Sequence, residues 1–276
     1  MSVKTTTLCN LCGRGRFSIV EDFEKPVYVL KCLHCGLVFV DPQPEPSLLA
    51  AHYGEDYYRD WLGPKGKRRL RMWKGRLRTI EKKVPKGRLL DVGCGAGEFL
   101  SLAKESGWVV EGTELSPYSA ALVSDRLKMQ IFSGNLMNAG LEHASFDVIT
   151  FWHVLEHVPD PVIYLREAHR LIKPSGLLVV AVPNLDDMVM RIAYRIVKGR
   201  PLRLYSKDDR EVHLYYFQAE TLQLIFRKTG FLCLTISPDY GITETSKRLV
   251  NLLSVVLSAL TGRKLYNALE IHGKRL

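Results

Sequence analysis

The chain has 276 residues, 46% hydrophobic and 25% charged. This composition suits a folded globular protein with apolar material for one full-sized core and a small satellite, and it excludes disordered, collagen-like and disulfide-scaffold classes. The formal charge is +10, from 39 Lys/Arg and 29 Asp/Glu, yet the window 65–88 holds twelve Lys/Arg against Glu81 alone, which is +11 and leaves −1 for the rest; one segment carries the whole excess, and a uniformly basic polyanion-coating protein is disfavoured.

Residues 1–7 are polar, with no apolar stretch behind them, so a cytoplasmic protein without a cleaved leader is expected. The most apolar runs, 177–182 and 249–260, fall short of the ~20 residues that a membrane-spanning helix needs. Two CxxC pairs follow, CNLC (Cys9, Cys12) and CLHC (Cys32, Cys35), separated by 19 residues. Each turn brings two thiolates within one tetrahedron edge, which points to a structural Zn²⁺ site; two disulfides or a redox pair are the alternatives weighed against it. Gly13 and Gly36 follow the second cysteine of each pair, where a knuckle turn wants positive φ. His34 reads as a bystander. A ribbon this small depends on its metal, and Pro42, Pro44 and Pro46 form a stiff extended linker that closes a first domain at 1–46.

Residues 47–86 read as a helical linker or lid with a mobile tip near Gly63-Pro64 and Gly66. Leu70, Trp73, Leu77, Ile80 and Val84 recur at helical spacing, so one apolar stripe faces a core and the arginines and lysines point outward. That outer face is either simply solvated or an electropositive rim for an anionic substrate or an anionic membrane surface. From 87 to 240 strand patterns at 88–92, 108–113, 129–132, 146–151, 177–182 and 231–236 alternate with helical patterns at 98–106, 117–127, 161–172 and 219–228. This alternation implies an α/β, doubly wound, mostly parallel Rossmann-like sheet with ligands at the carboxyl ends of its strands. Cys233 is expected in the core.

The first of these strands runs into Asp91-Val92-Gly93-Cys94-Gly95-Ala96-Gly97-Glu98. The glycines let backbone approach a ligand, and the following helix presents free N–H groups. A dinucleotide fingerprint needs a glycine where Glu98 stands, and Glu98 would repel a pyrophosphate, which argues against an NAD-dependent oxidoreductase. The series suits a ligand bearing an ammonium and a carboxylate. Glu114 ends the second strand, where an acid can accept from a ribose diol; Gly134-Asn135-Leu136 offers an amide and an apolar side chain to an adenine; the segment from Trp152 to Pro161 follows the fourth strand.

Together these motifs resemble the class I S-adenosylmethionine-dependent methyltransferases over 87–231, with their seven-stranded type of sheet. The cysteine ribbon, CGLVFVDPQP and GEDYY (54–58) are similar to the subgroup with an amino-terminal zinc module, several members of which methylate sugars or other small metabolites. The resemblance implies that Asp91, Gly93 and Gly95 line the methionine moiety, Glu114 the ribose hydroxyls, and Asn135 with Leu136 the adenine; Cys94, Gly97, Leu115 and Trp152 are further cofactor-binding candidates. Asn135 stands where many relatives carry aspartate. After the helix-like 248–260 only 265–272 remains for the family's antiparallel last strand, so 241–276 is read as a helix and tail with that strand short, displaced or absent.

Methyl transfer needs an in-line nucleophile and, for some acceptors, a base. Candidates are His153, Glu156 and His157 after the fourth strand, and His213, Tyr215 and Tyr216 of HLYYF, with His157 and His213 foremost. His153-x-x-Glu156-His157 also matches an inverted zinc-peptidase motif, but that motif needs a helix longer than Pro159 allows. It is also similar to the E-x-x-E-H by which ubiquinone-pathway O-methyltransferases ligate a divalent metal, with His153 replacing the first acid. The insert at 183–213 either caps the fold or covers the acceptor, with Arg200, Arg203 and Arg210 as contacts for phosphate or carboxylate. Residues 247–260 form either a buried or dimer-forming helix, giving a homodimer, or an in-plane interfacial helix.

The expected activity is S-adenosylmethionine-dependent methylation of a small anionic acceptor, such as a nucleotide- or lipid-linked sugar, with a His or Tyr base. The competing class is a nucleic-acid-binding or RNA-modifying protein using the ribbon and basic helix; the ribbon shows no basic-aromatic face, and no nucleic acid is expected as a partner.

Overall fold

Leu177, Leu178, Val179, Val180, Ala181 and Val182 are all fully buried, as a strand covered on both faces must be. They lie in a computed structural model that describes residues 2–3, 7–45, 53–59, 67–239, 241 and 248–276. The expected tip at Gly63-Pro64 and Gly66 falls outside these residues.

In chain order the elements are β1 Ser2–Val3, β2 Phe17–Glu24, β3 Val27–Cys32, β4 Val38–Asp41, α1 Glu55–Arg59, α2 Lys67–Glu81, β5 Arg88–Val92, α3 Glu98–Glu105, β6 Val109–Glu114, α4 Pro117–Leu127, β7 Phe132–Ser133, β8 Phe146–Trp152, α5 Pro161–Leu171, β9 Ile172–Pro183, α6 Met188–Lys198, β10 Tyr215–Tyr216, α7 Ala219–Lys228, β11 Phe231–Pro238, α8 Arg248–Thr261 and β12 Ala268–Arg275. Local chemistry starts the helices that flank the site. Ser116 accepts from Ser119 N ahead of Pro117, and Asp160 accepts from Val162 N and Ile163 N ahead of Pro161, each a side-chain cap followed by a proline whose missing N–H costs nothing there.

Among the described residues the central sheet has seven strands in the order β11-β12-β9-β8-β5-β6-β7. β5 to β9 pair in parallel, while β12 runs antiparallel between β9 and β11. This is the Rossmann-like sheet expected from the alternation, with two departures. The third strand is only Phe132–Ser133. The last strand is neither short nor displaced: it spans eight residues within the sheet, so the tail at 241–276 supplies an integral strand. Its apolar pattern is broken by Glu270 and His272, which are nevertheless buried. They pair at 2.7 Å, and Lys83 Nζ donates to His272 Nδ1 at 2.8 Å; mutual satisfaction lets polar groups occupy a sheet interior. Cys233 is only part-buried, on the outer strand β11.

The cysteine ribbon forms a second, five-stranded sheet, β1-β2-β3-β4-β10. Its last strand comes from HLYYF, Tyr215 pairing with Phe39 and Tyr216 with Val38, and its interior is continuous with the core beneath the main sheet. α2 lays Leu77 and Ile80 into the opposite core layer, beside the part-buried Trp73 and Val84, as the stripe foretold; Leu70 instead is half-exposed. The expectation that all the basic side chains point outward fails at Arg76, which is 7% exposed.

Candidate active site

β5 delivers Asp91 to the carboxyl edge of the sheet, and the chain then turns through Gly93, Gly95 and Gly97 with φ of 65°, 54° and 67°, left-handed values that favour glycine. A Cβ on Gly93 would lie 2.7 Å from Val154 Cγ2, whereas one on Gly95 would meet nothing within 4 Å. Gly95 thus presents bare backbone to a cavity of about 460 Å³ that is also lined by Asp91, Cys94, Glu114, Leu115, Asn135, Leu136 and Trp152. This cradle fits a ligand that needs close backbone approach. Of the candidates for the cofactor, Gly97 alone does not line it; its Cβ would strike Val123 Cγ1 at 2.4 Å, so this glycine serves the packing of α3 on α4.

Asp91 accepts from Thr150 Oγ1 at 2.7 Å. Burial pushes its carboxyl up to about 7, against the pull of that hydrogen bond. Glu114 is also buried, which raises its pKa, but three donors hold it: Gly95 N at 2.8 Å, Ser116 N at 2.9 Å and Tyr58 Oη at 2.9 Å.

Beyond β8 the chain turns sharply at His153, φ 57°, and sets His153, Glu156 and His157 in the cavity wall, where His213 joins them. Burial works against a charged His153, but its hydrogen bond to Asp239 and the negative charges of Asp239 and Glu156 outweigh it and push this imidazole up to about 9. His153 Nε2 lies 2.9 Å from Asp239 Oδ2, and Arg76 donates to both oxygens of the same carboxylate at 2.6 Å. The Arg76 guanidinium sits over Trp73 and Trp152, 4.7 and 4.4 Å from their ring centroids. Glu156 would be raised by its burial, yet His153, His157 and His213 hold it low. Neither of its oxygens has a hydrogen-bond partner among the described residues; His153 Nδ1 is 3.4 Å and His157 Nε2 4.0 Å from Oε1. His157 Nδ1 lies 2.8 Å from the Val212 carbonyl and 3.0 Å from Tyr53 Oη. A carbonyl only accepts, so Nδ1 carries a proton, and in the neutral ring the acceptor nitrogen is Nε2. Burial pushes His213 down to about 4, which keeps it neutral.

A glycine cradle, an acid at the end of the second strand and a cluster of His and Glu side chains after the fourth thus meet in one cavity. Residues 65–236 match the family model described as a methyltransferase domain. The chain belongs to that family. It is 33% identical over 138 residues to the ubiquinone biosynthesis O-methyltransferase of Coxiella burnetii (strain RSA 493 / Nine Mile phase I), covering 47% of this chain and 59% of the relative. To the demethylmenaquinone methyltransferase of Lactococcus lactis it is 28% identical over 174 residues, 55% of this chain and 69% of that one. The match to the first relatives therefore spans about three fifths of their length. Among solved structures, a SAM-dependent methyltransferase from Archaeoglobus fulgidus superposes with TM-score 0.51 at 20% identity over 75% of this chain and 94% of that one. Magnesium protoporphyrin IX methyltransferase from Synechocystis, with bound SAH, gives 0.58 at 12% over 84% and 100%. The chain thus carries a methyltransferase domain with the fold of S-adenosylmethionine-dependent methyltransferases.

Within the methyltransferase, Tyr216 stands apart from the base cluster. It lines an adjoining cavity of about 870 Å³, and its hydroxyl donates to the backbone carbonyls of Leu204 and His213. Tyr215 Oη likewise donates to Pro159 O, at 2.9 Å, and does not line the first cavity. Arg203 and Arg210 line the adjoining cavity together with Arg191; Arg200 does not. Glu98, which lines the first cavity, pairs with Arg69 and accepts from Trp73 Nε1 at 3.0 Å. Sequence patterning missed Tyr53, Tyr58, Arg76 and Asp239. Only Tyr58 carried any signal, as part of GEDYY (54–58).

In the ribbon the four cysteine Sγ atoms all lie within 4.8 Å of one another, with Cys9 to Cys35 and Cys12 to Cys32 at 3.5 Å, and none is in a disulfide. A tetrahedral zinc with bonds of about 2.3 Å has edges close to these separations. Gly13 and Gly36 have φ of 70° and 79°, the values the knuckle turns require, and His34 is exposed outside the cluster.

Proposed function

We propose that this methyltransferase acts on a hydroxyl oxygen of a small acceptor carrying an anionic group, as nucleotide- and lipid-linked sugars do, with His157 as general base. The observation that carries the reading is the orientation of the His157 ring. Nδ1 faces the Val212 carbonyl at 2.8 Å and Nε2 lies 4.0 Å from the Glu156 carboxylate, in the wall of the first cavity, which leaves Nε2 as the acceptor of the neutral ring. S-adenosylmethionine supplies the electrophilic methyl when bound. An acceptor hydroxyl between Nε2 and Glu156 would lose its proton to Nε2 as the oxygen attacks, and the Glu156 carboxylate would stabilise the imidazolium that forms. Arg191 and Arg203 supply positive charge in the adjoining cavity, which shares Arg69, Pro183, Glu211 and His213 with the first. The O-methyltransferase names of the Coxiella and Vibrio relatives support oxygen as nucleophile. The four cysteines would hold a structural Zn²⁺.

The test is a labelled-methyl assay over nucleotide-linked sugars, polyisoprenoid-linked sugars and phenolic quinone precursors. With the accepted compound, His157→Ala should lower kcat by about 10²-fold or more and leave the affinity for S-adenosylhomocysteine unchanged, while Arg191→Ala with Arg203→Ala raises the acceptor KM. An unchanged kcat in His157→Ala overturns the base assignment.

A second reading rests on Glu156, His157 and His213, whose ligand atoms lie within 4.8 Å of one another, with both Glu156 oxygens lacking hydrogen bonds among the described residues. A divalent cation held there would activate the acceptor oxygen as a Lewis acid. Activity lost to a chelator and restored by a divalent ion, at concentrations that leave the cysteine site loaded, would favour this reading over general-base catalysis.

A further inference from the structure

α8 is folded inside out. Its buried side chains include the small polar ones, Ser254 at 0% and Ser258 at 9% exposure, whose hydroxyls donate to carbonyls one turn back, Val250 and Ser254. Its leucines face solvent: Leu252, Leu253, Leu257 and Leu260 are 61%, 47%, 40% and 78% exposed. α6, which packs against α8, has no buried residue at all. Met188, Ile192 and Ile196, at i, i+4 and i+8, are 54%, 55% and 77% exposed. Two adjacent helices thus turn their apolar faces to water, an arrangement that marks a covered surface.

The charge around this face identifies what covers it. No Asp or Glu occurs from 188 to 207 or from 245 to 269. Arg195, Lys198, Arg200, Arg203, Arg263 and Lys264 are all exposed at the ends and flanks of the two helices. A second copy of the chain would bring this set of like charges against itself, which costs free energy, whereas an anionic lipid surface takes both the apolar side chains and the cations. We propose that α6 and α8 together form a membrane-docking face, lying in the plane of an anionic phospholipid surface with their exposed leucines and isoleucines inserted and the surrounding arginines and lysines at the headgroups. No helix among the described residues is long and apolar enough to cross a membrane, so the contact is peripheral. α6 also contributes Met190 and Arg191 to the wall of the second cavity, so docking would set that cavity beside the lipid headgroups.

The proposal is tested on the full chain by co-sedimentation with phosphatidylcholine vesicles with and without phosphatidylglycerol, a readout independent of any acceptor. Binding to the phosphatidylglycerol vesicles that weakens with salt is expected. Joint replacement of Ile192, Ile196, Leu252 and Leu260 by serine should cut partitioning by about tenfold or more while S-adenosylhomocysteine affinity stays unchanged. Because these side chains are exposed, the variant keeps its fold, and a single Ile196→Trp reporter should shift to shorter emission wavelength on vesicle addition. Three outcomes overturn the proposal: wild-type protein staying in the supernatant at low salt, equal binding by the serine variant, or light scattering that shows a dimer which the serine changes dissolve, with no vesicle binding. Loss of binding only when Lys67, Arg68, Arg71 and Lys74 of α2 are neutralised would also overturn it, by moving the docking face to that helix.

Discussion

Tyr58 donates its hydroxyl to Glu114 Oε1 at 2.9 Å, joining a short helix ahead of the basic segment to the acid that ends the second parallel strand. Glu114 already accepts from Gly95 N and Ser116 N, so its carboxylate is locked in plane before a ribose reaches it. An acid fixed in this way loses less entropy when it accepts from a diol. Replacing Tyr58 by phenylalanine removes one hydrogen bond to a buried charged group, worth about 1.5–3 kcal/mol. S-adenosylhomocysteine affinity should fall by roughly tenfold to a hundredfold by calorimetry, with the acceptor KM unaffected. An unchanged affinity would reduce Tyr58 to a packing residue.

Asp91 gives the cofactor site a pH dependence. Its carboxyl is raised to about 7 by burial, so it is largely protonated at pH 6, and only the ionised form attracts an ammonium group. Cofactor affinity should therefore rise with pH between about 6 and 8 by close to tenfold, with proton release on binding below pH 7. Asp91→Asn should bind weakly at every pH and flatten the profile. A wild-type affinity that is level across this window would sink the assignment of Asp91 to the charged end of the ligand.

The glycine loop, the cysteine cluster and the parallel strands were legible in the sequence because each is a local signal: turn residues at fixed offsets, paired cysteines, an apolar run of strand length. What escaped was non-local. Arg76 sits in a run of solvated cations and nothing in that run distinguishes it, yet it is the one paired with a carboxylate 163 positions away. The last strand hid for a different reason, because the Glu270–His272 pair made a buried strand read as a polar tail. Within HLYYF, His213 lines both cavities whereas Tyr216 lines only the second, a separation that adjacency in the sequence does not reveal.

The Arg76–Asp239–His153 chain predicts how stability depends on pH. His153 is raised from its ordinary value to about 9, so its contribution is complete below about pH 6.5 and is lost as pH rises through about 9. Asp239 is held far below the usual carboxylate range: burial alone would raise it, but Arg76 and His153 dominate. Its contribution is therefore lost only in strong acid. The melting temperature should decline between about pH 7 and 9.5, and Asp239→Asn should reduce that decline, leaving the part due to Glu156, while lowering stability at pH 7 by about 3 kcal/mol, because a buried guanidinium loses its partner. If Asp239→Asn melts at the wild-type temperature throughout, the network is not coupled to folding.

The cysteine ribbon connects to the chemistry through Asn10, which lies between two of the cysteines. Asn10 Nδ2 donates to Tyr215 Oη at 2.8 Å, and that hydroxyl donates to Pro159 O at 2.9 Å, two residues beyond His157. The amides of Leu214 and Tyr215 donate to Glu156 O at 2.7 and 3.1 Å, so the ribbon's last strand also holds the backbone of the base cluster. The purified protein should contain about one zinc per chain by mass spectrometry, and stripping it should unravel the knuckles, since so small a module has little core of its own. The loss should register in kcat, through displaced His157 and His213, more than in cofactor affinity, which depends on the distant glycine loop. Asn10→Ala, which keeps all four thiolates, should reproduce a smaller fall in kcat with full zinc content. A zinc-free protein with normal kcat would show that the ribbon and the catalytic loop are energetically independent.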